Sequence, residues 1–205
     1  MSVILITGGI GSGKSEVCRI LEATYGLPCY NADSRVKDLY GSHPDLLDDI
    51  EKELGQSLRD SSDNFVPGLL AERIFSSDQD LKKVEALVFP VLAEDFKLWK
   101  SAQDRTDVVI ESATALEKEE LSYIYDVVVV VDAPFQTRLS RACARDNSDL
   151  DKVMARMRNQ TLMNRISEGY SEPRVDYILD NGSDLASLKE KVAALVGRLH
   201  ETRIN

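Results

Sequence analysis

Short apolar runs in the chain predict buried strands. They occupy residues 3–6, 107–110, 125–131 and 177–179. Uninterrupted apolar runs are typical of strands covered on both faces, and a helical pattern precedes or follows each run here. Strands that alternate with helices in this way form a parallel sheet with crossover helices. The pattern therefore predicts an α/β fold.

The first apolar run leads into a predicted turn and helix. Val17, Ile20 and Leu21 recur at helical spacing after a glycine-rich stretch, and Gly26 with Pro28 forms a helix stop signal. Residues 28–30 are a candidate second strand. A final helix, for which we expect only a structural role, is predicted from apolar residues at spacings of three and four: Leu185, Leu188, Val192, Leu195 and Leu199.

Two long stretches show helical periodicity alone. Residues 33–100 are expected to form a helical insertion, with loops near Gly41 and from residue 57 to 68. The second stretch runs from Pro134 to about Pro173. Between positions 138 and 165 it holds seven basic and three acidic residues, in a chain whose formal net charge is −10. Attraction for a polyanion must therefore be local.

Length and composition fit a globular protein with one good core. The chain has 205 residues, of which 43% are hydrophobic and 29% charged, so one domain with insertions is expected. The net charge of −10 argues against binding to nucleic acid or to an anionic membrane, because both depend on clustered lysine and arginine. We expect a monomer or a weak homo-oligomer.

The cysteines and the first residues indicate the compartment. Cys18, Cys29 and Cys143 are odd in number and distant in sequence, with no CxxC pair and no metal-ligand spacing to His43 or His200, which fits a reducing environment. The first apolar run meets glycines before any basic residue, the wrong order for a secretory signal, and no 18-residue apolar stretch follows. A cytoplasmic location is expected.

Residues 8–15 carry the strongest functional signal. Their sequence, GGIGSGKS, matches the P-loop pattern GxxxxGK[ST] and lies between a predicted strand and a predicted helix, as that pattern requires. An ordinary glycine-rich turn is the alternative that this context disfavours. The residues predicted to bind a nucleoside triphosphate are Gly8, Gly9, Gly11, Ser12, Gly13, Lys14, Ser15 and Glu16.

Phosphate geometry explains this spacing. Glycines let successive backbone N–H groups converge on a phosphate, and the helix dipole adds positive potential. A Cβ at Gly11 or Gly13 is expected to crowd that approach. We expect Lys14 to reach the β- and γ-phosphates and the Ser15 hydroxyl to bind the Mg²⁺ that bridges them. Removal of Lys14 should therefore damage catalysis more than folding.

Phosphoryl transfer to a hydroxyl group also needs a carboxylate that orients the acceptor. Asp33 follows the candidate second strand and is placed for this task, but Asn31 and Asp33 are also good helix caps, and both interpretations stay open. Glu111 closes the strand predicted at 107–110. It either holds a water on Mg²⁺, as a Walker-B acid does, or is an ordinary exposed acid.

Three arginines share one face of the second helical stretch. Arg138, Arg141 and Arg145 lie at positions i, i+3 and i+7. A solvated charged face is the common meaning of such a stripe, and a lid that grips phosphates is the alternative.

Together these motifs resemble the dephospho-coenzyme A kinase family over nearly the whole chain. Residues 6–15 are similar to the family's P-loop, and residues 31–33 to its motif ending in Ala-Asp. Further segments that resemble the family are 125–134 (the strand into the lid), 145–146 (the lid's Arg-Asp signature), Arg156 with Gln160 (an Arg-x-x-x-Gln pattern) and 175–181 (the last strand).

The resemblance implies a fold and a reaction. The fold is the P-loop NTPase type, a three-layer α/β/α core with a five-stranded parallel sheet. Its expected segments are the core (1–32, 103–134 and 174–205), a helical acceptor-binding insertion (33–102) and a helical lid (135–173). The reaction is phosphorylation of the ribose 3′-hydroxyl of dephospho-coenzyme A by ATP with Mg²⁺, giving coenzyme A and ADP. The alternatives are another small-molecule or nucleoside monophosphate kinase, or a non-catalytic ATP-binding regulatory protein.

The resemblance also implies roles for single residues. Asp33 is expected to activate the ribose 3′-hydroxyl as a catalytic base. Arg141 and Arg145 belong to the lid, and Arg145 is expected to contact the ATP phosphates when the lid closes. Asn181 and Gly182 are expected to border the adenine site.

Two departures from the family pattern lie on the acceptor side. The insertion usually carries a His-Pro pair, for which this chain has Phe89-Pro90. Residues 111–117 only loosely resemble the family's Pro-Leu-Leu-Phe-Glu region, although Glu111 and Glu117 keep the expected separation.

Overall fold

A computed structural model describes residues 2–105, 107–147 and 149–201. The predicted core segments also include residues 1, 106 and 202–205, and the predicted lid includes residue 148; these positions lie outside the described residues.

The described chain contains one five-stranded parallel sheet, as predicted. Its order is β2-β3-β1-β4-β5, and every neighbouring pair is parallel. The strands are β1 (Ser2–Thr7), β2 (Cys29–Asn31), β3 (Asp107–Glu111), β4 (Val127–Asp132) and β5 (Tyr177–Asp180). Each apolar run overlaps one of these strands, although β4 begins at Val127 and not at residue 125, so the α/β class is confirmed.

The described residues also form α-helices. In chain order they are α1 (Lys14–Tyr25), α2 (Ala32–Ser42), α3 (Pro44–Leu54), α4 (Pro67–Ser76), α5 (Asp78–Ser101), α6 (Phe135–Asp146), α7 (Leu150–Arg158), α8 (Thr161–Ser167) and α9 (Leu185–Glu201). The loop expected near Gly41 is displaced, because α2 continues through Gly41 and ends at Ser42. Two 3₁₀ helices were not predicted: Ala115–Glu117 and Glu119–Ile124.

The chain divides into two compact units. The first contains the chain up to Asn31 and from Gln103 onward, and it includes all five strands. The second is Ala32–Ala102 and contains α2 to α5.

In the first unit the sheet is buried on both faces. One face packs against α1 and α9, with Ile4, Ile6 and Val129 of the sheet in a cluster with Val17 and Val192 of the helices. Side chains alternate along a strand, so their neighbours point to the opposite face. These neighbours are also buried, namely Val3, Leu5, Val108, Ile110, Val128 and Val130. Double coverage explains why the strands are continuous apolar runs.

Aspartates fix the amino-terminal edge of this sheet. Asp126 accepts a hydrogen bond from the Val3 N–H at 2.7 Å, and Asp176 accepts one from the Val128 N–H at 2.8 Å. Each aspartate satisfies a backbone donor at the point where a neighbouring strand begins, which a buried sheet edge requires. These aspartates therefore have a structural role in setting the strand register.

The second unit is held by helix packing and ion pairs. Arg35 of α2 forms a two-pronged pair with Asp95 of α5, at 2.8 Å and 2.7 Å. Burial raises the pKa of Tyr40 to about 12, and its ring packs against Phe65. Phe89 is half-buried on α5.

Among the helices described in either unit, none combines the length and the apolar character needed to cross a membrane.

Candidate active site

The P-loop motif forms a tight turn between β1 and α1, which we call the phosphate loop (residues 8–15). The Ser12 N–H donates to the Gly9 carbonyl at 3.1 Å, and Gly13 caps α1 with its carbonyl accepting from Glu16 and Val17 at 3.1 Å each. The first N–H groups of a helix have no acceptor within it, so the turn presents donors and the positive end of the helix dipole at one place.

Gly11 and Gly13 are required by protein packing as well as by backbone conformation. They have φ angles of 76° and 98°, a region that favours glycine. A Cβ on Gly11 would overlap the Arg138 carbonyl oxygen, and one on Gly13 would overlap Nδ2 of Asn181. The space that a Cβ on either glycine would occupy is already filled by α6 and by the residue that follows β5.

Lys14 lies against the loop itself. Its Nζ donates to the Gly8 carbonyl at 3.0 Å and approaches that of Gly9 at 3.4 Å. These two acceptors are neutral backbone carbonyls, and a lysine side chain can bind a phosphate as a point charge. The loop therefore holds a cation beside its converging backbone donors.

Ser15, Glu111 and Asn31 form a hydrogen-bonded chain beside the loop. The Ser15 hydroxyl donates to Glu111 Oε1 at 2.6 Å, and Asn31 Nδ2 donates to Glu111 Oε2 at 2.8 Å. Parallel pairing places Glu111 opposite Ile6 and Asn31 opposite Glu111, at the carboxyl ends of three adjacent strands. Glu111 is only 6% exposed, so its interpretation as an ordinary exposed acid is wrong.

The Ser15–Glu111 pair fits a magnesium ion chemically. Hydroxyl and carboxylate oxygens are the ligands that Mg²⁺ prefers, and in kinases the ion takes its remaining ligands from water and from substrate phosphates. In the part of the chain that is described, no group of three or more His, Cys, Asp or Glu side chains could hold a metal by itself.

Asn181 and Arg141 close the side of the loop near Gly13. Asn181 Nδ2 donates to the Ser12 carbonyl at 2.8 Å, and Arg141 Nη1 donates to the Asn181 carbonyl at 3.0 Å. Asn181 is 6% exposed. Two predicted nucleotide-binding residues from distant parts of the sequence therefore meet at the phosphate loop.

Arg138 and Gln160 close the side near Gly9, and their contact with the loop was not predicted. Arg138 is 2% exposed, so the interpretation of the arginine stripe as a solvated face is wrong at this position. Its Nε donates to the Ala133 carbonyl at 3.0 Å. Gln160 Oε1 accepts from the Ile10 N–H at 2.7 Å. The helical stripe and the Arg-x-x-x-Gln pattern were the only sequence signals that singled out these two residues.

Arg145 lies in a different environment, which we call the lid tip (Arg145, Asp146 and Arg156). Arg145 and Arg156 both donate to the Asp146 carboxylate, at 2.7 Å and 2.6 Å. The Arg145 guanidinium, followed by that of Arg156, lowers the pKa of Asp146 to about 2. The Arg145 and Arg156 side chains are 64% and 48% exposed. This is where the structure places the Arg-Asp signature.

Asp33 and Glu16 occupy the first turns of their helices. Asp33 is the second residue of α2 and is exposed, so it lies within the helix and not at its N-cap position. The Glu16 carboxylate pairs with Arg19 one turn later, and that hydrogen bond lowers the pKa of Glu16. A carboxylate in the first turn also stabilises the helix dipole.

Comparisons with known proteins bear on nearly the whole chain. The sequence model of the family described as dephospho-CoA kinase matches residues 2–187. A Bacteroides fragilis protein named dephospho-CoA kinase is 30% identical over 199 residues, which cover 95% of this chain and 93% of that protein. A Porphyromonas gingivalis protein of the same name is 39% identical over 160 residues, covering 78% of each chain.

Solved structures extend the comparison to the fold. A Thermus thermophilus protein superposes with a TM-score of 0.81 at 26% identity, covering 97% of each chain. A dephospho-CoA kinase from Campylobacter jejuni gives a TM-score of 0.65 at 19% identity, covering 98% of each chain. A shikimate kinase from Acinetobacter baumannii gives 0.58 at 13% identity, covering 100% of this chain and 96% of that one. These two more distant likenesses show a P-loop kinase fold.

Proposed function

The chain belongs to the dephospho-CoA kinase family, and from that premise we propose which of its residues bind ATP, hold Mg²⁺ and activate the acceptor. As a member of this family it is an ATP-dependent kinase that converts dephospho-coenzyme A to coenzyme A, the last step of coenzyme A synthesis. Neither alternative, another small-molecule kinase or a non-catalytic regulator, is favoured by any observation on the chain.

The main support for the assignment of the ATP-binding residues is the phosphate loop, in which Lys14 is hydrogen-bonded to the loop carbonyls. Lys14 bridges the carbonyls of the loop beside the amino terminus of α1. A triphosphate placed there meets backbone donors, the helix dipole and an ammonium group, all fixed before it arrives. We assign the β- and γ-phosphates of ATP to this position. Gly8, Gly9, Gly11, Ser12 and Gly13 supply the backbone, with Glu16 in the first turn of the helix.

The chain's contribution to magnesium binding is assigned to Ser15 and Glu111. Their oxygens are 2.6 Å apart, and Asn31 orients the Glu111 carboxylate from its other side. Mg²⁺, when bound, neutralises charge on the phosphate oxygens. Asn31 keeps Glu111 aimed at Ser15, so the two oxygen ligands are ordered in advance.

Asp33 is assigned as the base that accepts the proton of the ribose 3′-hydroxyl. Its carboxylate is exposed, as a group that must meet an incoming substrate has to be. It lies in the second compact unit, which we propose as the acceptor-binding insertion. Phe89 of that unit stands where the family usually has a histidine, so acceptor contacts there are expected to be apolar.

The lid is assigned to residues 135–173, with Arg141 and Arg145 as its phosphate-binding side chains. Arg141 already borders the loop through Asn181, whereas Arg145 is held at the lid tip by Asp146. Closure of a lid excludes water, which would otherwise compete with the acceptor.

Asn181 is assigned to the part of the ATP site that binds the adenine ring. We further propose a cytoplasmic enzyme without nucleic-acid or membrane partners.

An acceptor panel tests the function. ADP release is measured with dephospho-coenzyme A, AMP, adenosine or shikimate as acceptor, and without any acceptor. We expect turnover with dephospho-coenzyme A and one coenzyme A formed for each ADP. Equal ADP release with and without acceptor would instead identify an ATPase or a regulator.

Asp33→Asn in the same assay tests the base. Loss of proton transfer should lower kcat by about a hundred-fold or more, with the KM for ATP little changed. Asp38→Asn, an exposed acid one turn and a half later on α2, is the matched control. Turnover of Asp33→Asn equal to that of the control would remove Asp33 from the mechanism.

A further inference from the structure

The backbone of Ile10 makes a contact that the proposed mechanism does not use. Its N–H donates to Gln160 Oε1 at 2.7 Å, between residues 150 positions apart in sequence. Gln160 precedes α8 and follows α7 by two residues. The contact therefore joins the middle of the phosphate loop to the proposed lid.

The side chain of Ile10 is held by the same part of the molecule. It packs against a small apolar cluster built by α6 and α7, whose buried members are Leu139, Ala142, Val153 and Met157. Ile10 is thus fixed at its backbone by Gln160 and at its side chain by two helices. A loop residue anchored twice cannot shift unless the helices shift with it.

Gln160 is itself fixed at the junction of two helices. Its N–H donates to the Met157 carbonyl at 3.2 Å, and its carbonyl accepts from the Asn164 N–H at 2.9 Å. Asn164 Nδ2 also donates to the Met157 carbonyl, at 3.0 Å. The Gln160 side chain therefore extends from an ordered backbone.

Arg138 fills the remaining space beside the loop. Its side chain is 2% exposed, and within the described part of the chain its buried Nη1 has no hydrogen-bond partner. A Cβ on Gly9 would overlap this Nη1 and would lie 3.6 Å from Gln160 Oε1. The guanidinium and the amide oxygen thus converge on the peptide that joins Gly9 to Ile10.

We propose that Gln160 is a positioning residue for phosphoryl transfer. Resting on the function proposed above, it couples the lid to the phosphate loop: its side-chain oxygen holds the Ile10 N–H, so that the loop keeps this conformation only while α6, α7 and Gln160 stay packed against Ile10. Without Gln160 this part-buried N–H would lose its acceptor, which costs free energy and loosens the turn. Correct placement of the γ-phosphate then depends on a residue to which we assign no substrate contact.

Two substitutions separate the hydrogen bond from the shape of the side chain. Gln160→Met keeps length and volume but removes the acceptor, whereas Gln160→Glu keeps an acceptor oxygen and places it beside the Arg138 guanidinium. Asn159→Met, at the exposed neighbouring position, is the matched control. Hydrogen exchange of the Ile10 amide in the nucleotide-free protein reports the contact without any need for catalysis.

We expect Gln160→Met to accelerate exchange of the Ile10 amide by about ten-fold and to lower kcat by about ten-fold, the worth of one hydrogen bond. The KM for dephospho-coenzyme A should stay within about two-fold, since the acceptor is not touched. Gln160→Glu should restore both exchange protection and kcat, and Asn159→Met should resemble the wild type.

Three results would overturn the proposal. Unchanged hydrogen exchange of the Ile10 amide in Gln160→Met would show that the contact does not protect this amide. Accelerated exchange with an unchanged kcat would show that the contact has no role in phosphoryl transfer. Equal losses of kcat and of thermal stability in Gln160→Met and Asn159→Met would reduce the contact to general structure. A wild-type protein that transfers no phosphate to dephospho-coenzyme A would refute the proposed function, and the exchange result would still show whether the contact exists.

Discussion

The phosphate loop and the lid tip carry charged groups of the same kind in opposite settings. Around the loop, Arg138 and Asn181 are 2% and 6% exposed, and the contacts involve backbone groups. At the tip, Arg145 and Arg156 are exposed and share one carboxylate. The loop is held by buried contacts, whereas exposed ion pairs hold the side chains of the lid tip.

The difference follows from the cost of breaking each set of contacts. A buried polar group that loses its partner costs about 1–3 kcal/mol, so the loop cannot rearrange without a large penalty. An exposed ion pair contributes about 0.2–1 kcal/mol, so Arg145 can exchange Asp146 for a phosphate at little cost. Phosphoryl transfer needs a phosphate-binding loop that is already ordered and a lid whose arginines can change partners when the nucleotide binds.

The largest effect on activity is expected from substitution of Lys14, the lysine of the phosphate loop. Lys14→Met removes the ammonium beside the phosphates and should lower kcat by about a thousand-fold, because electrostatic stabilisation is the main term in this chemistry. The thermal midpoint should change little, since Lys14 is partly exposed. Coupled ADP release and calorimetry measure the two quantities. A variant that loses stability and activity in parallel would make Lys14 a structural residue.

The comparison also shows what the sequence could and could not predict. The five strands follow from apolar runs, and the phosphate loop follows from local spacing, because both depend on neighbours in sequence. The burial of Glu111 depends on β1–β3 pairing, and that of Arg138 on the packing of α6 against Gly11. The Ile10–Gln160 contact spans 150 positions. Such long-range contacts are not encoded in any local pattern.

An intermediate effect is expected at the magnesium position. Glu111→Gln keeps the shape of the side chain but weakens its hydrogen bonds to Ser15 and Asn31, and it should lower kcat by about a hundred-fold with a higher Mg²⁺ requirement. A Mg²⁺ titration of the coupled assay measures both. Glu117→Gln is the matched control, because Glu117 is a nearby glutamate of the same segment, residues 111–117, and has no assigned ligand role. Identical Mg²⁺ curves for the two variants would contradict the assignment.

The smallest effect should come from the lid tip. Asp146→Asn releases Arg145 and Arg156, and it should change stability by about 0.5 kcal/mol or less and the KM for ATP by less than about three-fold. The folded chain lowers the pKa of Asp146 from 3.8 to about 2, so its pairing stabilises the fold at neutral pH. That contribution is lost as the pH falls from about 4 through 2. Thermal unfolding across this range, at low and high salt, measures it. A stability loss of about 1–3 kcal/mol, the cost of a buried polar group that loses its partner, would erase the distinction between the two regions.

The central claim is that the phosphate loop is a preformed cradle for the phosphates of ATP. Calorimetric titration of the wild-type chain with ATP, in the presence and absence of Mg²⁺, tests it most directly. The account predicts saturable binding of one ATP per chain that is strengthened by Mg²⁺ and weakened in Lys14→Met. A wild-type chain that binds no ATP with Mg²⁺ present, or a Lys14→Met variant that binds it equally well, would contradict the account.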